Sequence, residues 1–236
     1  MPKTTSKKGK KKVAIFDIDG TIFRSSLLIE VTEVLIEEGI FPVSAKRGYA
    51  KSFSKWLDRR GSYDDYLWDV IHMFEKHIRG VHYRNFLRVA EKAVGFHKNR
   101  VYRYTRDLVR ELRKQGFYLL AISKSPKGVV EGFAKELGFH KVYGMLYETD
   151  TKGRYTGGLI HFDLISDKAK LLARAVEKEN LTLRGSVGVG DTESDIAFLE
   201  LVSRPIAFNP NSALFRHARR KKWNIVVERK DVVYEI

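Results

Sequence analysis

The chain has 236 residues, of which 43% are hydrophobic and 31% are charged, as is typical of a globular protein with one sizeable core, or a core and a smaller insert. The sequence contains no cysteine, which excludes a disulfide framework and cysteine-ligated zinc or iron–sulfur sites and is typical of the reducing cytoplasm. No stretch approaches the ~18 consecutive apolar residues of a membrane-spanning helix. We therefore expect a cytoplasmic protein without a membrane span.

The formal net charge is +15, and residues 1–12 contribute six lysines and no acidic residue. This composition predicts a disordered, solubilising basic tail. A basic tail can also attract nucleic acid, anionic lipid or phosphorylated substrates. Since no nucleic-acid-binding motif is recognisable, a nucleic-acid-associated protein is an alternative function rather than the main prediction.

The first predicted element is a buried strand in the segment KKVAIFDI, which carries Asp17 and Asp19 at its carboxyl end. The following segment is rich in aromatic residues and has a helical spacing of apolar side chains. Glycines close several of the helices. We predict a four-helix insertion, with helices in residues 26–40, 48–61, 62–80 and 82–96.

After the insertion, the apolar pattern predicts alternating helices and strands. Helices are expected in residues 106–116, 125–138, 166–180, 192–201 and 212–223, with Ser125 as an N-cap and Pro126 as the first helical residue. Strands are expected in residues 117–123, 141–149, 185–191, 204–209 and 224–228, and residues 148–160 predict a hairpin that turns at Gly153. This alternation favours an α/β fold with a parallel sheet covered on both faces.

Several predicted strands end in polar side chains, namely Asp17 and Asp19, Ser123, and Asp191, which is followed by Asp195. Carboxyl ends of parallel strands share one edge of the sheet, where ligands bind. Carboxylates packed together require a cation, and oxygen ligands combined with a substrate phosphate suit Mg²⁺. With Lys168 near the start of the intervening helix, these groups predict phosphoryl transfer to a carboxylate.

The same residues resemble the haloacid dehalogenase (HAD) superfamily. The segment DIDGT resembles its first motif, AIS ending in Ser123 the second, Lys168 the third, and GDTESD the fourth. The helical insertion and the segment RPIAFNP are similar to the phosphoserine-phosphatase-like branch, subfamily IB. This resemblance implies a Rossmann-like core of residues 13–23 and 100–236, with an inserted α-helical C1 cap of residues 24–99.

The resemblance also implies a role for each residue. Asp17 would be the nucleophile, and Asp19 the acid that protonates the leaving group and then the base that activates water. Ser123 and Lys168 would bind the phosphoryl group, and Thr21 would steady the first loop. Mg²⁺ would bind Asp17, the backbone carbonyl of Asp19, and Asp191, with Asp195 either holding metal-bound water or orienting Lys168.

Three of these assignments have simpler alternatives. Ser123 could be an ordinary loop serine, Lys170 could take the place of Lys168 on the same helix, and Asp195 could only complement a helix dipole. The resemblance implies a phosphatase acting on a small phosphomonoester. Transfer of the phosphoryl group to an alcohol on the same site is a further alternative, and the oligomeric state is not predictable from the sequence.

The substrate is not specified by the motifs. Phosphoserine phosphatases carry a glutamate nine positions after the nucleophile, and here that position is Ser26. Glu30 lies one helical turn further on and is a candidate replacement. A cap arginine that would bind a substrate carboxylate is also unassigned, with Arg47, Arg59 and Arg60 as candidates. This departure weakens the case for phosphoserine itself.

Overall fold

The computed structural model describes residues 9–236, so most of the predicted basic tail lies outside the described residues. The strands are β1 (Lys11–Asp17), β2 (Tyr118–Pro126), β3 (Lys141–Thr149), β4 (Tyr155–Ile160), β5 (Leu181–Gly190), β6 (Arg204–Phe208), β7 (Asn224–Arg229) and β8 (Val232–Glu235). The helices are α1 (Leu27–Glu37), α2 (Ala50–Leu57), α3 (Tyr63–Ile78), α4 (Tyr83–His97), α5 (Arg103–Lys114), α6 (Lys127–Glu136), α7 (Phe162–Ile165), α8 (Lys168–Lys178), α9 (Ile196–Leu199) and α10 (Ser212–Lys221). Two 3₁₀ segments, Val43–Gly48 and Glu193–Asp195, precede α2 and α9.

The eight strands form one sheet in the order β4-β3-β2-β1-β5-β6-β7-β8. The six inner strands of this order run parallel to one another, namely β3, β2, β1, β5, β6 and β7. The two edge strands, β4 and β8, pair antiparallel with their neighbours. β1 therefore lies in the middle of the sheet, next to β2 and β5. This arrangement confirms the predicted fold class and places the ends of the three motif-bearing strands side by side.

Helices cover both faces of the sheet. Successive side chains of each strand point to opposite faces, so the apolar side chains on each face are buried by a separate set of helices. Ala14 and Phe16 pack with residues of α1, α3, α4, α5 and α6. Val13 and Ile15 pack with residues of α8, α9 and α10. The near-continuous apolar sequence of β1 reflects this burial on both faces.

Helices α1–α4 form the predicted helical insertion, which packs directly on the rest of the chain. One continuous apolar cluster contains Phe16 and Phe23 together with Phe74 of α3 and Phe86 of α4. The insertion begins and ends at one place, where Phe23 forms an antiparallel bridge with Val101. The boundaries of 24–99 for a separate cap stay a prediction.

Several details of the predicted elements are wrong, among them the start of the helix at 125–138. Ser125 does not cap a helix, because β2 continues through Pro126 and α6 begins at Lys127. Its hydroxyl accepts instead a hydrogen bond from the Leu28 backbone N–H at 3.1 Å and so joins β2 to α1. No element is predicted after the strand at 224–228, whereas the chain turns back to add β8 at the edge of the sheet.

Candidate active site

The site lies at the carboxyl end of β1, where a buried lysine joins two carboxylates. Lys168 Nζ donates hydrogen bonds to Asp17 Oδ1 at 2.6 Å and to Asp195 Oδ1 at 2.5 Å. Lys168 is the first residue of α8, whose start is fixed by the Asp167 side chain accepting from the backbone N–H groups of Ala169 and Lys170. All three charged groups are at least nine-tenths buried, so each depends strongly on the others.

Asp19 and Ser123 are also joined at this edge. Ser123 Oγ donates a hydrogen bond of 2.5 Å to Asp19 Oδ2, and the Leu27 backbone N–H donates to Asp19 Oδ1 at 2.5 Å. The hydroxyl of Ser123 also accepts from the Ser125 N–H at 2.9 Å. The end of β2 and the start of α1 therefore hold the second carboxylate of the DIDGT motif in place.

Asp191 follows β5 and is tied to the first loop. Thr21 Oγ1 donates to Asp191 Oδ1 at 3.1 Å. Gly20, with a φ of +82°, leaves the space that Asp191 needs, because a Cβ at position 20 would lie 2.1 Å from Asp191 Oδ2. Both the left-handed backbone and this close approach require glycine.

Asp195 uses both of its carboxylate oxygens within the protein. Oδ1 accepts from Lys168, and Oδ2 accepts from the backbone N–H groups of Asp191 and Thr192, each at 3.0 Å. These contacts make Asp195 a link between the lysine and the loop that carries Asp191.

Burial dominates the electrostatics of the site. It raises the pKa of Asp17 to about 7, against the opposing effect of Lys168 and with a further increase from Asp195 and Asp19. Burial and the Asp17 charge raise the pKa of Asp191 well above its usual range. For Lys168, burial alone would lower the pKa, but contact with Asp17 and Asp195 outweighs it and raises the pKa.

Four of the predicted site residues, Asp17, Asp19, Lys168 and Asp191, line one cavity of about 250 Å³ beneath the helical insertion. Ser123 and Asp195 are buried and do not line it, and they contact Asp19 and Lys168, respectively. Sequence reasoning gave no individual role in the site to the residues that complete the wall, although three of them lie in the segment GDTESD. The residues without an assigned role are Leu28, Asp64, Leu67, Trp68, Ile71, Lys124, Ser125, Thr192, Glu193 and Ser194.

The candidates for substrate recognition are only partly in this cavity. Ser26 lines the cavity, whereas Glu30 does not and instead pairs with Arg100 at 2.7 Å. The three candidate arginines, at positions 47, 59 and 60, are all exposed and do not line it. Lys170, the alternative to Lys168, is also exposed and pairs with Asp167.

The donor set fits a magnesium ion that is held by few side chains. Asp17 Oδ2 is buried without a hydrogen-bond partner, and the burial of Asp191 beside Asp17 also calls for a cation. Within residues 9–236, no group of three or more acidic or histidine side chains is arranged to hold a metal. Mg²⁺ normally completes its coordination with water and substrate phosphate. Two carboxylates and a backbone carbonyl are therefore a suitable set of ligands from the protein.

Fold and site together define an enzyme that places carboxylates and a lysine at the carboxyl edge of a parallel sheet. Residues 14–200 match the family described as haloacid dehalogenase-like hydrolase. The chain therefore belongs to this family.

Relatives and solved structures agree with that assignment. The chain is 24% identical over 228 residues to "Histidinol-phosphatase" of Neisseria meningitidis serogroup C (strain 8013), covering 92% of this chain and 98% of that protein. It is 21% identical over 207 residues to "Phosphoserine phosphatase" of Archaeoglobus fulgidus, covering 86% of this chain and 54% of that protein, about half of its length.

Two solved structures share the fold. A protein of unknown function from Bordetella pertussis Tohama I superposes with a TM-score of 0.72 at 19% identity, covering 92% and 98% of the two chains. A phospho-aspartyl intermediate analogue of phosphoserine phosphatase superposes with a TM-score of 0.60 at 20% identity, covering 94% and 95%. The predicted family and the enzyme class, a phosphoric monoester hydrolase, are confirmed, and the chain is similar to phosphoserine and histidinol phosphatases.

In the part of the chain that the structure describes, we find no helix whose length and apolar character would let it cross a membrane.

Proposed function

We propose that this protein is a Mg²⁺-dependent phosphatase that hydrolyses a small phosphomonoester through an aspartyl-phosphate on Asp17. The observation that carries this proposal is the buried oxygen Asp17 Oδ2, which has no hydrogen-bond partner within residues 9–236, in a residue that lines the cavity. The other oxygen of the same carboxylate is fixed by Lys168 at 2.6 Å. A carboxylate held at one oxygen, with the second left without a partner, is arranged to react or to bind a ligand.

In the first step, Asp17 attacks the phosphorus, an oxygen–phosphorus bond forms, and the bond from phosphorus to the leaving alcohol oxygen breaks. Asp19 supplies the proton that this alcohol oxygen needs. Burial raises the pKa of Asp19, against the effect of the hydrogen bonds from Ser123 and Leu27, and a raised pKa favours the protonated acid that this step requires.

In the second step, Asp19 takes a proton from water as the water oxygen attacks the phosphorus. The bond between Asp17 and phosphorus then breaks, which releases inorganic phosphate and restores both carboxyl groups. Lys168 and the hydroxyl of Ser123 would bind phosphoryl oxygens, with Ser123 exchanging its hydrogen bond to Asp19 for one to the substrate.

Asp17, the backbone carbonyl of Asp19, and Asp191 would hold Mg²⁺, which would neutralise negative charge on the phosphoryl group when bound. Asp195 would position Lys168, because both of its oxygens already accept hydrogen bonds from the protein. The insertion, residues 24–99 in the predicted boundaries, would select the alcohol part of the substrate. Two relatives named for phosphatases of phosphoserine and histidinol phosphate support a small substrate.

The test is phosphate release from a panel of phosphomonoesters, with and without Mg²⁺, by the wild type and by Asp17→Asn. We expect metal-dependent release that the substitution lowers by at least about a thousandfold, while circular dichroism shows an intact fold. Release that survives the substitution would exclude Asp17 as the nucleophile. Adding an alcohol acceptor and analysing the products separates hydrolysis from transfer, and a phosphorylated acceptor as the main product would replace the hydrolase with a phosphotransferase.

A further inference from the structure

The cavity has two chemically different ends. Its cap side is apolar and is built by Leu28 of α1 and by Leu67, Trp68 and Ile71 of α3. Its other side contains the strand-end carboxylates and the lysine proposed to bind phosphate. A phosphomonoester that reaches Asp17 must therefore place its alcohol part against an apolar and partly aromatic surface.

The charges at the cavity are distributed unevenly. Both lysines on its wall, Lys124 and Lys168, come from the core, and the Lys168 charge together with burial lowers the pKa of Lys124. Beyond the strand-end aspartates, the acidic residues on the wall are Asp64 from the insertion and Glu193 from the loop after β5. No arginine or histidine of the described chain lines the cavity.

Asp64 and Glu193 both line the cavity, Asp64 from α3 and Glu193 from the segment after β5, and both side chains are exposed. Burial raises the pKa of Asp64, and the charges of Glu193 and Asp65 raise it further. Glu193 is held in place by a hydrogen bond from Asn211 Nδ2. Acidic side chains that share one wall repel one another and attract a cation.

An independent observation indicates that a ligand occupies this cavity. Asp17 lines the same cavity, and its Oδ2 is a buried carboxylate oxygen without a hydrogen-bond partner among the described residues. In the proposed function, the phosphoryl group of the substrate lies at Asp17. Asp64 and Glu193 would then contact the alcohol part of the substrate.

We propose that the cavity selects phosphomonoesters whose alcohol part has an apolar body, carries a cationic nitrogen and lacks a carboxylate, with Asp64 and Glu193 binding the cationic nitrogen. This inference rests on the proposed phosphatase function and specifies its substrate class. A substrate carboxylate beside Asp64 and Glu193 would meet two acidic side chains and no arginine. Of the two lysines on the wall, Lys168 is held by Asp17 and Asp195 and burial lowers the pKa of Lys124, so a carboxylate would be disfavoured.

Matched probes test the proposal. O-phosphoethanolamine has the amine, ethyl phosphate lacks it, and O-phosphoserine adds a carboxylate. A larger pair, 2-amino-3-phenylpropyl phosphate and 3-phenylpropyl phosphate, tests the amine together with the apolar wall. We expect kcat/KM to be at least about fivefold higher for each amine than for its neutral partner, and higher for O-phosphoethanolamine than for O-phosphoserine.

Asp64→Asn and Glu193→Gln should each reduce the preference for the amine by about threefold to fivefold, since each removes one charge from a partly exposed pair. Asp65→Asn is the matched control, because Asp65 is the next residue in the same first turn of α3 and does not line this cavity. The control should keep the preference. An equal effect of Asp64→Asn and Asp65→Asn would overturn the proposal, as would a wild-type preference for neutral or carboxylate-bearing probes.

The two proposals fail in distinguishable ways. Absence of hydrolysis of every probe, including p-nitrophenyl phosphate, would exclude the phosphatase function. Hydrolysis without a preference for the amine would exclude only the substrate class. Calorimetric binding of the larger probe pair to Asp17→Asn measures the amine preference without turnover, and equal affinities for both members would overturn the inference by themselves.

Discussion

The ammonium group of Lys168 lies 2.6 Å from Asp17 Oδ1, and both side chains are almost completely buried. The same ammonium also meets Asp195 at 2.5 Å, so one cation balances two buried carboxylates. Removing the cation would leave these carboxylates together in a medium where an uncompensated charge is costly. This dependence leads to a stability prediction that does not require knowledge of the substrate.

Lys168→Met should destabilise the fold by about 3 kcal/mol in the free energy of unfolding, measured by urea denaturation at pH 8. The loss should be smaller at pH 5, because the folded variant can then protonate its unpaired carboxylates. Lys170→Met is the matched control on the same helix, and its exposed side chain should change stability by less than about 0.5 kcal/mol. Similar values for the two variants would contradict the buried triad.

Asp19→Asn should separate the two steps of the reaction. With p-nitrophenyl phosphate, whose leaving group needs little protonation, the variant should release about one equivalent of nitrophenol in a rapid burst and then stop, because no base activates water. Stopped-flow absorbance measures the burst, and acid quenching followed by mass spectrometry detects phosphate on Asp17. Steady turnover without a burst would assign the acid–base role to another residue.

Magnesium binding should depend on pH. Burial raises the pKa of Asp17 to about 7 in the metal-free protein, although Lys168 opposes the shift, and Mg²⁺ must displace any proton on the carboxylate. Apparent affinity should therefore fall by about tenfold per pH unit below pH 7 for each proton displaced, and level off at higher pH. Calorimetry in two buffers of different ionisation enthalpy counts the protons released. Equal affinity at pH 5.5 and 7.5 would contradict this prediction.

Gly20→Ala should damage the site more than the fold. The new Cβ would lie 2.1 Å from Asp191 Oδ2 and force that carboxylate to move. Gly39→Ala is a control with a similar left-handed φ of +68° but no atom within 4 Å of its Cβ. Each should lose about 1–2 kcal/mol of stability from the backbone conformation. Only Gly20→Ala should also lose Mg²⁺ affinity, measured by calorimetry. An equal loss of affinity in both variants would refute the dependence of the metal site on the space that Gly20 leaves for Asp191.

The core of the site was predictable because its residues follow apolar strands. In the sequence, Asp17, Ser123 and Asp191 each stand at the end of an apolar run, and parallel strands bring their carboxyl ends to one edge, although β2 itself continues to Pro126. The assignment of Lys168 over Lys170 follows the helical periodicity that buries Leu171 and Leu172. Site residues whose positions follow from strand ends and helix periodicity are therefore well predicted from the sequence.

The remaining wall of the cavity was not predictable, because it depends on packing between distant segments. Trp68 and Asp64 lie on a helix whose apolar spacing is satisfied equally well without any cavity, and Glu193 resembles an ordinary acid in a first helical turn. Ser125 was misread as a helix cap because local sequence favours that role, whereas its hydroxyl meets the Leu28 N–H, 97 residues away.

The bridge between Phe23 and Val101 has a consequence for how such enzymes can diversify. The Arg24 N–H donates to the Arg100 carbonyl at 3.0 Å, and the Tyr102 N–H donates to the Ile22 carbonyl at 2.9 Å. The two segments by which the chain leaves and re-enters the core are therefore hydrogen-bonded to each other. The insertion between these points also contacts the core elsewhere, because the Leu28 N–H donates to Ser125 and the Leu27 N–H donates to Asp19. A foreign insertion grafted at the Phe23–Val101 bridge would therefore have to supply a donor for Asp19 in order to change the recognised alcohol and retain the chemistry.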